Sequence, residues 1–258
     1  MKAKLKGDFH MLIEERFSKI LTILNRNGSV SVQDLMTALD ASESTIRRDL
    51  NAMHKKGLLV KVHGGAVAKE MPVHTHDEGV SLRKTQNTDE KAVIGQYAAS
   101  QIRSNDFVYI DAGTTTEMII PYIETTDAVF VTNAIGHARL LSQKGCRVYI
   151  LGGEFKGITE AIVGEEAILS LNKYNFSIGF WGTNGISPKA GCTTPDLKEA
   201  IVKQTAMKHC KRPFVLADSS KFSKISSIKF ADFDEATIIT TRLQQEVYRQ
   251  YKNIQEVL

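Results

Sequence analysis

Five stretches of this 258-residue chain each place glycine, hydroxyl, amide or charged side chains directly after a short apolar run. The run Phe107 to Asp111 leads into Ala112-Gly113-Thr114-Thr115-Thr116, where a glycine frees the backbone and hydroxyls and N–H groups can cradle an anion. Val131-Thr132-Asn133, Leu151-Gly152-Gly153-Glu154, Trp181-Gly182-Thr183-Asn184-Gly185 and Ala217-Asp218-Ser219-Ser220-Lys221 repeat the arrangement. The first loop resembles a phosphate loop, yet it lacks the lysine of a Walker motif and does not match GxGxxG. Neither nucleoside triphosphate hydrolysis nor dinucleotide binding is expected, and no cofactor is implied. The five ends together suit a small polyhydroxylated ligand with a phosphate: carboxylates and amides take hydroxyls, while Lys221 and the threonine hydroxyls hold the anion. Asp111 has two readings, as an acceptor for sugar hydroxyls or as a brace for its loop; an acidic group ending an apolar strand needs a partner in either case. Cys192 to Asp196 forms a further rim before a helix bearing Glu199 and Lys203, whose i, i+4 spacing equally fits a surface ion pair. Trp181 reads as core rather than as a stacking platform.

A second constellation lies at Ser42 to Val67. Ser42, Ser44 and Thr45 offer hydroxyls that cap a helix and reach phosphate oxygens, and Arg47 and Arg48 follow one turn in, where a recognition helix meets base edges. Ile46, Leu50 and Met53 fall on one apolar face. Lys61, His63 and Gly64 belong to a hairpin whose tip reaches toward the same partner. Between Ala41 and Gly65 the cations Arg47, Arg48, Lys55, Lys56 and Lys61 face only Glu43 and Asp49. That local excess matters more than the formal charge of the chain, which is only +4.

These residues need elements to carry them. Leu12 to Leu24 traces a helical stripe ended by Asn25, Asn27 and Gly28; Ser29-Val30-Ser31 is extended; Val32 to Leu39 is a brief second helix; and the third runs from Glu43 or Ser44 to Lys56, closed by Gly57. Leu58 to Val62 and Ala66-Val67 flank Gly64-Gly65 as a two-stranded wing. Residues 11–68 thus read as a winged helix-turn-helix DNA-binding domain, 69–89 as a linker, and 90–258 as an α/β domain. In the linker His74 and His76 lack a third ligand, so no metal is expected. The last span alternates strands (Phe107 to Asp111, Val129 to Thr132, Arg147 to Leu151, Ser177 to Trp181, Phe214 to Ala217, Thr237 to Thr240) with helices near Lys91 to Ile102, Thr116 to Ile123, Ala134 to Ser142, Ala161 to Leu171, Asp196 to Cys210 and Leu243 to Tyr251. That order implies a doubly wound, mostly parallel sheet, with ligands beyond the carboxyl ends of its strands.

With 42% hydrophobic and 24% charged residues, the chain can fill one medium and one small core. Cys146, Cys192 and Cys210 are odd in number and carry no CxxC spacing, which fits a reduced cytoplasm. No apolar run is long enough to span a bilayer, and MKAKLKGDFH lacks the apolar core of a signal peptide. The residues before Met11 read as a tail of uncertain origin.

The ordered set SESTIRRDL, GLL and VHGGA, then DAGTTT, VTNA, LGGEF, GTNGIS and DSSKF, resembles the DeoR family of bacterial sugar-metabolism regulators, over nearly everything from Met11 onward. The resemblance implies a larger domain similar in fold to sugar-phosphate isomerases such as ribose-5-phosphate isomerase, serving as a sensor of phosphorylated sugars. GCTTPDLKEAIVKQ and VLADSSKF look most like fructose-operon repressors, which implies fructose 1-phosphate as effector. Trp181 departs from the family, where a smaller aliphatic residue is more usual, and the stretch around Arg83 keeps only part of its linker pattern. The expectation is a repressor, not an enzyme: paired winged helices on double-stranded operator DNA, at least a homodimer, released by a sugar phosphate at Asp111, Gly113, Thr114, Thr115, Thr116, Asn133, Gly152, Gly153, Gly182, Asn184, Glu199, Lys203 and Lys221. Two rivals stand beside it. One is a sugar-phosphate isomerase with a fused DNA-binding domain, using Asp111, Glu199 or Lys221 as acid and base. The other is a sensor whose basic helix contacts protein instead of DNA.

Overall fold

The computed structural model describes residues 12–69, 73–125, 127–243, 248 and 250–258. They form two compact units, the second beginning at Val73.

In the first unit, helix α1 (Ile13–Asn27) ends at Gly28, whose φ of 73° closes the last turn by donating to the Leu24 carbonyl. Strand β1 (Ser29–Ser31) leads into α2 (Val32–Leu39), capped by the Ser31 side chain, and α3 (Glu43–Lys55) is capped by Ser42. Ile20, Leu24, Leu35, Ile46, Leu50 and Met53 are fully buried between these helices, so the apolar face expected on the third helix is the one that packs. Arg16 clamps α1 to α3 through Asp49, with nitrogen–oxygen distances of 2.7 and 3.1 Å. The wing differs from expectation. Strands β2 (Leu59–Val62) and β3 (Gly65–Ala68) are joined by β1 in a three-stranded antiparallel sheet of order β1-β3-β2. Gly65 makes this possible: a Cβ there would lie 2.2 Å from the Val30 carbonyl oxygen. Ser29 to Ser31 is extended as expected, but three residues are too short to signal a partner, and only the pairing to β3 makes them part of the wing.

The second unit opens with β4 (Val73–His74), α4 (Val80–Thr85) and α5 (Thr88–Ser100). Strand β5 (Phe107–Ile110) is followed by α6 (Thr114–Glu117), and β6 (Val129–Thr132) by α7 (Ile135–Gln143) and β7 (Arg147–Ile150). A hairpin of β8 (Glu154–Lys156) and β9 (Ala161–Val163) precedes α8 (Glu165–Leu171). Then come β10 (Ile178–Gly182), β11 (Gly185–Ser187), β12 (Gly191–Thr194), α9 (Leu197–Lys208), β13 (Pro213–Leu216), β14 (Ile225–Ser226), β15 (Ile228–Ala231), β16 (Thr237–Thr241) and β17 (Ile254–Val257). Seven strands form one parallel sheet in the order β17-β16-β13-β10-β5-β6-β7.

Alternation along these strands divides the core. Val108, Ile110, Phe130, Ile178, Phe180 and Leu216 point to the face covered by α5 and α7. Tyr109, Val131, Trp181 and Val215 point to the other face, against α8 and α9. Both faces are therefore apolar and both are covered, as a parallel sheet requires. Trp181 is fully buried, and a Cβ at Gly179 would strike its ring at 2.4 Å, so a glycine two residues earlier makes room for this indole.

Two expectations are corrected. The helix expected from Thr116 to Ile123 is a four-residue turn of α6 followed by a 3-10 turn at Ile120–Tyr122, because Pro121 cannot donate the bond a continuing α-helix needs. The helix expected from Ala161 to Leu171 begins at Glu165; Ala161 to Val163 pairs with β8 instead, and Gly164 at φ 95° breaks the two apart. The antiparallel sheet β11-β12-β15 had no sequence signal of its own. Of the helix expected from Leu243 to Tyr251, most falls outside the described residues, as do the residues through Met11. No helix among the described residues is long and apolar enough to cross a membrane.

Candidate functional site

The first unit presents its polar residues on the side away from its core. Ser42 Oγ accepts from the Thr45 N–H at 3.4 Å and lies 3.1 Å from Ser44 Oγ and 2.9 Å from Thr45 Oγ1, a cluster of exposed hydroxyls at the start of α3. Arg47 and Arg48 are exposed on the same helix, and Arg47 Nε donates to Glu43 Oε1 at 2.7 Å. That pair is solvated on both sides and holds the guanidinium only weakly. Lys61 Nζ donates to Asn51 Oδ1 at 2.7 Å, which ties the wing to α3. His63 and Gly64 form the two-residue turn between β2 and β3, with Gly64 at φ 79°. These exposed groups, with hydroxyls at a helix start and two arginines one turn in, suit a phosphate backbone and the groove beside it.

The second unit holds a cleft, open to solvent, at the carboxyl ends of β5 and β10. Gly113, Thr114 and Thr115 form one wall; Gly182, Thr183 and Asn184 a second; Glu199 and Lys203 a third. Lys221 closes one side, 4.0 Å from Asp218. Glu199 and Lys203 share the spacing of a surface pair, but the structure buries both, 7% and 4% exposed, and gives each a different partner. Lys203 Nζ pairs with Asp111 and donates to the Gly182 carbonyl at 3.2 Å. Glu199 accepts from the Thr159 hydroxyl and from Lys156 Nζ at 3.1 Å. Asp111 also accepts from the Gly182 N–H at 3.1 Å. Burial pushes its carboxyl up and Lys203 pulls it back only in part. Asp111 is 1% exposed and lies beneath the cleft floor rather than in its lining.

Other expected residues act as supports. Thr116 Oγ1 donates to the Asp111 and Gly113 carbonyls at 2.6 and 2.9 Å, and Asn133 Oδ1 accepts from the Ala112 N–H at 2.8 Å, so both hold the loop from behind. Gly152 and Gly153 are absent from the cleft wall. Gly153 instead lets the chain turn into β8: at φ 140° its Cβ would meet the Val163 carbonyl oxygen at 2.6 Å. That hairpin delivers Lys156, three residues on, into a cluster of Asp77 (2.6 Å), Asp196 (3.2 Å) and Glu199 (3.1 Å). Burial alone would lower the Lys156 ammonium, but its carboxylate partners raise it above the ordinary lysine range.

Arg83, Lys91 and Thr159 line the cleft without having been expected there, and Thr183 joins them from one of the expected strand ends. Arg83 comes from α4, and its Nε and one Nη are buried without a hydrogen-bond partner among the described residues. Lys91 is 4% exposed and donates to the Arg83 carbonyl; burial lowers its ammonium. The segment read as a linker is thus built into the second unit from Val73 onward: β4 pairs with β14, the Val80 N–H donates to the Ile158 carbonyl at 3.1 Å, and Asn87 Nδ2 donates to Asp218 at 2.9 Å. The incomplete linker motif around Arg83 was the one sequence signal in this region. With Lys203 matched by Asp111, Glu199 by Lys156 and Lys221 facing Asp218 at 4.0 Å, the charge left facing the cleft is positive, from Arg83 and Lys91. Buried donors without partners in a positive concavity favour an anionic ligand.

Two family models match the chain: the DeoR-like helix-turn-helix domain over residues 16–71 and the DeoR C terminal sensor domain over residues 86–242. The chain is 40% identical to the uncharacterized HTH-type transcriptional regulator FruR of Bacillus subtilis (strain 168), over 94% of this chain and 96% of that one. It is 32% identical to the HTH-type transcriptional regulator IolR of the same organism, over 96% and 97% of the two chains. The lactose phosphotransferase system repressor of Streptococcus mutans is 31% identical over 90% and 93%. Among solved structures, ribose 5-phosphate isomerase A of Neisseria gonorrhoeae aligns at a TM-score of 0.39 and 13% identity, covering 51% of this chain and 52% of that one.

Proposed function

The chain belongs to the DeoR family, and from that premise we propose that it is a transcriptional repressor of a sugar-utilisation operon, released from its operator by a phosphorylated sugar. The observation that carries the effector half is the basic cleft with the unpartnered Arg83 nitrogens at its edge. A phosphate seated against Gly113 to Thr115 takes Arg83, Lys91 and Lys221, while Asn184, Thr183 and Thr159 offer partners to sugar hydroxyls. Asp111 and Lys203 neutralise each other under the loop and fix its position. Fructose 1-phosphate is the first effector to try, given the relative named FruR.

The operator half rests on Ser42, Ser44, Thr45, Arg47 and Arg48 at the start of α3, with His63 and Gly64 at the wing tip. Symmetric half-sites require at least a dimer. Release needs the effector to favour one arrangement of the dimer over another, a coupling of roughly 1–3 kcal/mol.

A gel shift on DNA upstream of the chain's own gene, titrated with sugar phosphates, tests both halves. One sugar phosphate is expected to release the DNA, and Arg83→Gln is expected to require more of it. Binding to DNA that does not weaken with salt would overturn the operator reading, because phosphate neutralisation gives a steep salt dependence. Turnover of a sugar phosphate that is lost in Asp111→Asn would replace the sensor by the isomerase.

A further inference from the structure

Ala112, Gly113, Thr114 and Thr159 face two cavities. Besides the basic cleft they line a second, small compartment, with room for about one water-sized group, completed by Val80, Glu117, Gly136, His137 and Glu160. A ligand held against this loop therefore reaches both.

The two cavities differ in charge. The cleft is lined by Arg83, Lys91, Lys203 and Lys221, whereas the second compartment has no lysine or arginine in its lining and two carboxylates, Glu117 and Glu160. His137 is 2% exposed, and its Nδ1 makes no hydrogen bond among the described residues. Burial pushes this imidazole down to about 4, so the ring is neutral near pH 7. Around it stand Glu117, whose Oε2 is 3.9 Å from His137 Nε2, the Gly113 carbonyl, and Lys84, which lies 3.1 Å from Glu117. A neutral imidazole offers one donor and one acceptor, and a carboxylate only acceptors. Sugar hydroxyls, which donate and accept, complement that set, and a buried ring nitrogen without a partner is a place for one of them. A second phosphate meets carboxylates there and no unpaired cation.

We propose that this compartment is a hydroxyl-binding subsite, in which His137 and Glu117 hold the non-phosphorylated end of the effector and select sugar monophosphates over bisphosphates. It rests on the reading of the basic cleft as a phosphate site. It assigns the discrimination among sugar phosphates to residues that the phosphate itself does not touch.

Calorimetric titration of the full chain with inorganic phosphate, glycerol 3-phosphate, fructose 1-phosphate and fructose 1,6-bisphosphate tests it. Gly136→Leu adds a side chain at a residue that lines the compartment and not the cleft, and a Cβ at Gly136 meets nothing within 4 Å. Gly136→Leu and His137→Leu are each expected to weaken fructose 1-phosphate about tenfold, the worth of one lost hydrogen bond, while leaving inorganic phosphate unchanged. Glu117→Gln, at a half-exposed site, is expected to narrow the preference for monophosphate over bisphosphate. If wild type binds phosphate and fructose 1-phosphate and the variants bind both as it does, or lose all probes equally, the subsite is overturned and the phosphate site stands. If wild type binds none of the four probes, both fall together.

Discussion

The α3 face and the cleft of the second unit both carry cations, yet they hold them in opposite ways. Arg47 and Arg48 stand in solvent, and Arg47 has only a neighbour one turn away. Lys203 and Lys91 are 4% exposed, and the partner of Lys203 lies 92 residues away in sequence. The difference follows from the size of the partner. A duplex supplies its own extended array of charge, so its reader can remain convex and hydrated. A small anion must be surrounded, and surrounding it takes cations out of water, which is costly unless carboxylates and carbonyls are placed beside them.

That contrast can be broken most forcefully at Lys203. Replacing it by methionine leaves Asp111 buried and unpaired, and urea unfolding is expected to show a loss of about 3–5 kcal/mol, with Asp111→Asn in the same chain restoring most of it. A double variant no more stable than the single one would mean that the pair is not the element that holds the floor of the cleft. The next effect is in pH. His137 is lowered from 6.5 to about 4, so the unfolded chain takes up a proton that the folded chain refuses. Stability present above pH 6.5 is therefore lost as the pH falls from 6.5 to 4, by up to about 3 kcal/mol from this group. Comparing Tm against pH for wild type and His137→Leu isolates it, since the variant is expected to lose that part of the slope.

On the exposed side the expected changes are smaller and fall on binding. Arg48→Ala is expected to cost roughly 1–3 kcal/mol of operator affinity where it meets a guanine, with unfolding within about 0.5 kcal/mol of wild type. Fluorescence anisotropy on operator and scrambled duplexes reads the first, and urea titration the second. A large loss of stability in that variant would place Arg48 among the structural residues and erase the contrast. Ser42→Ala, which removes the cap of α3, is expected to lower stability by about 1 kcal/mol, measurable as a shift in the urea midpoint.

Where the chemistry is local, it was legible. The spacing of Ile46, Leu50 and Met53 announced the buried face of α3, Ser42 its cap, and six apolar runs all strands of the parallel sheet but the edge strand β17. The Gly-Thr-Thr loop also stands in the cleft wall, as its composition suggested. The motif around Gly152 and Gly153 drew attention to the right turn for the wrong reason. Its glycines shape the hairpin, and it is Lys156 beyond them that meets Asp77, Asp196 and Glu199. In sequence, Arg83 stands in a partial linker pattern and Lys91 at the start of an expected helix. Nothing in either segment says that the chain from Val73 onward is stitched to residues such as Ile225 and Asp218, more than a hundred positions away.

The sequence by itself determined the two units, the winged helix-turn-helix order and the alternation of helix and strand, because periodicity, caps and turns act over a few residues. Tertiary structure alone decided which charges are buried and with whom. Glu199 and Lys203 are four residues apart and could have paired on a helix surface. Instead one turned to Lys156 and the other to Asp111, because packing α9 against the sheet removed both from water and left each to its nearest opposite charge.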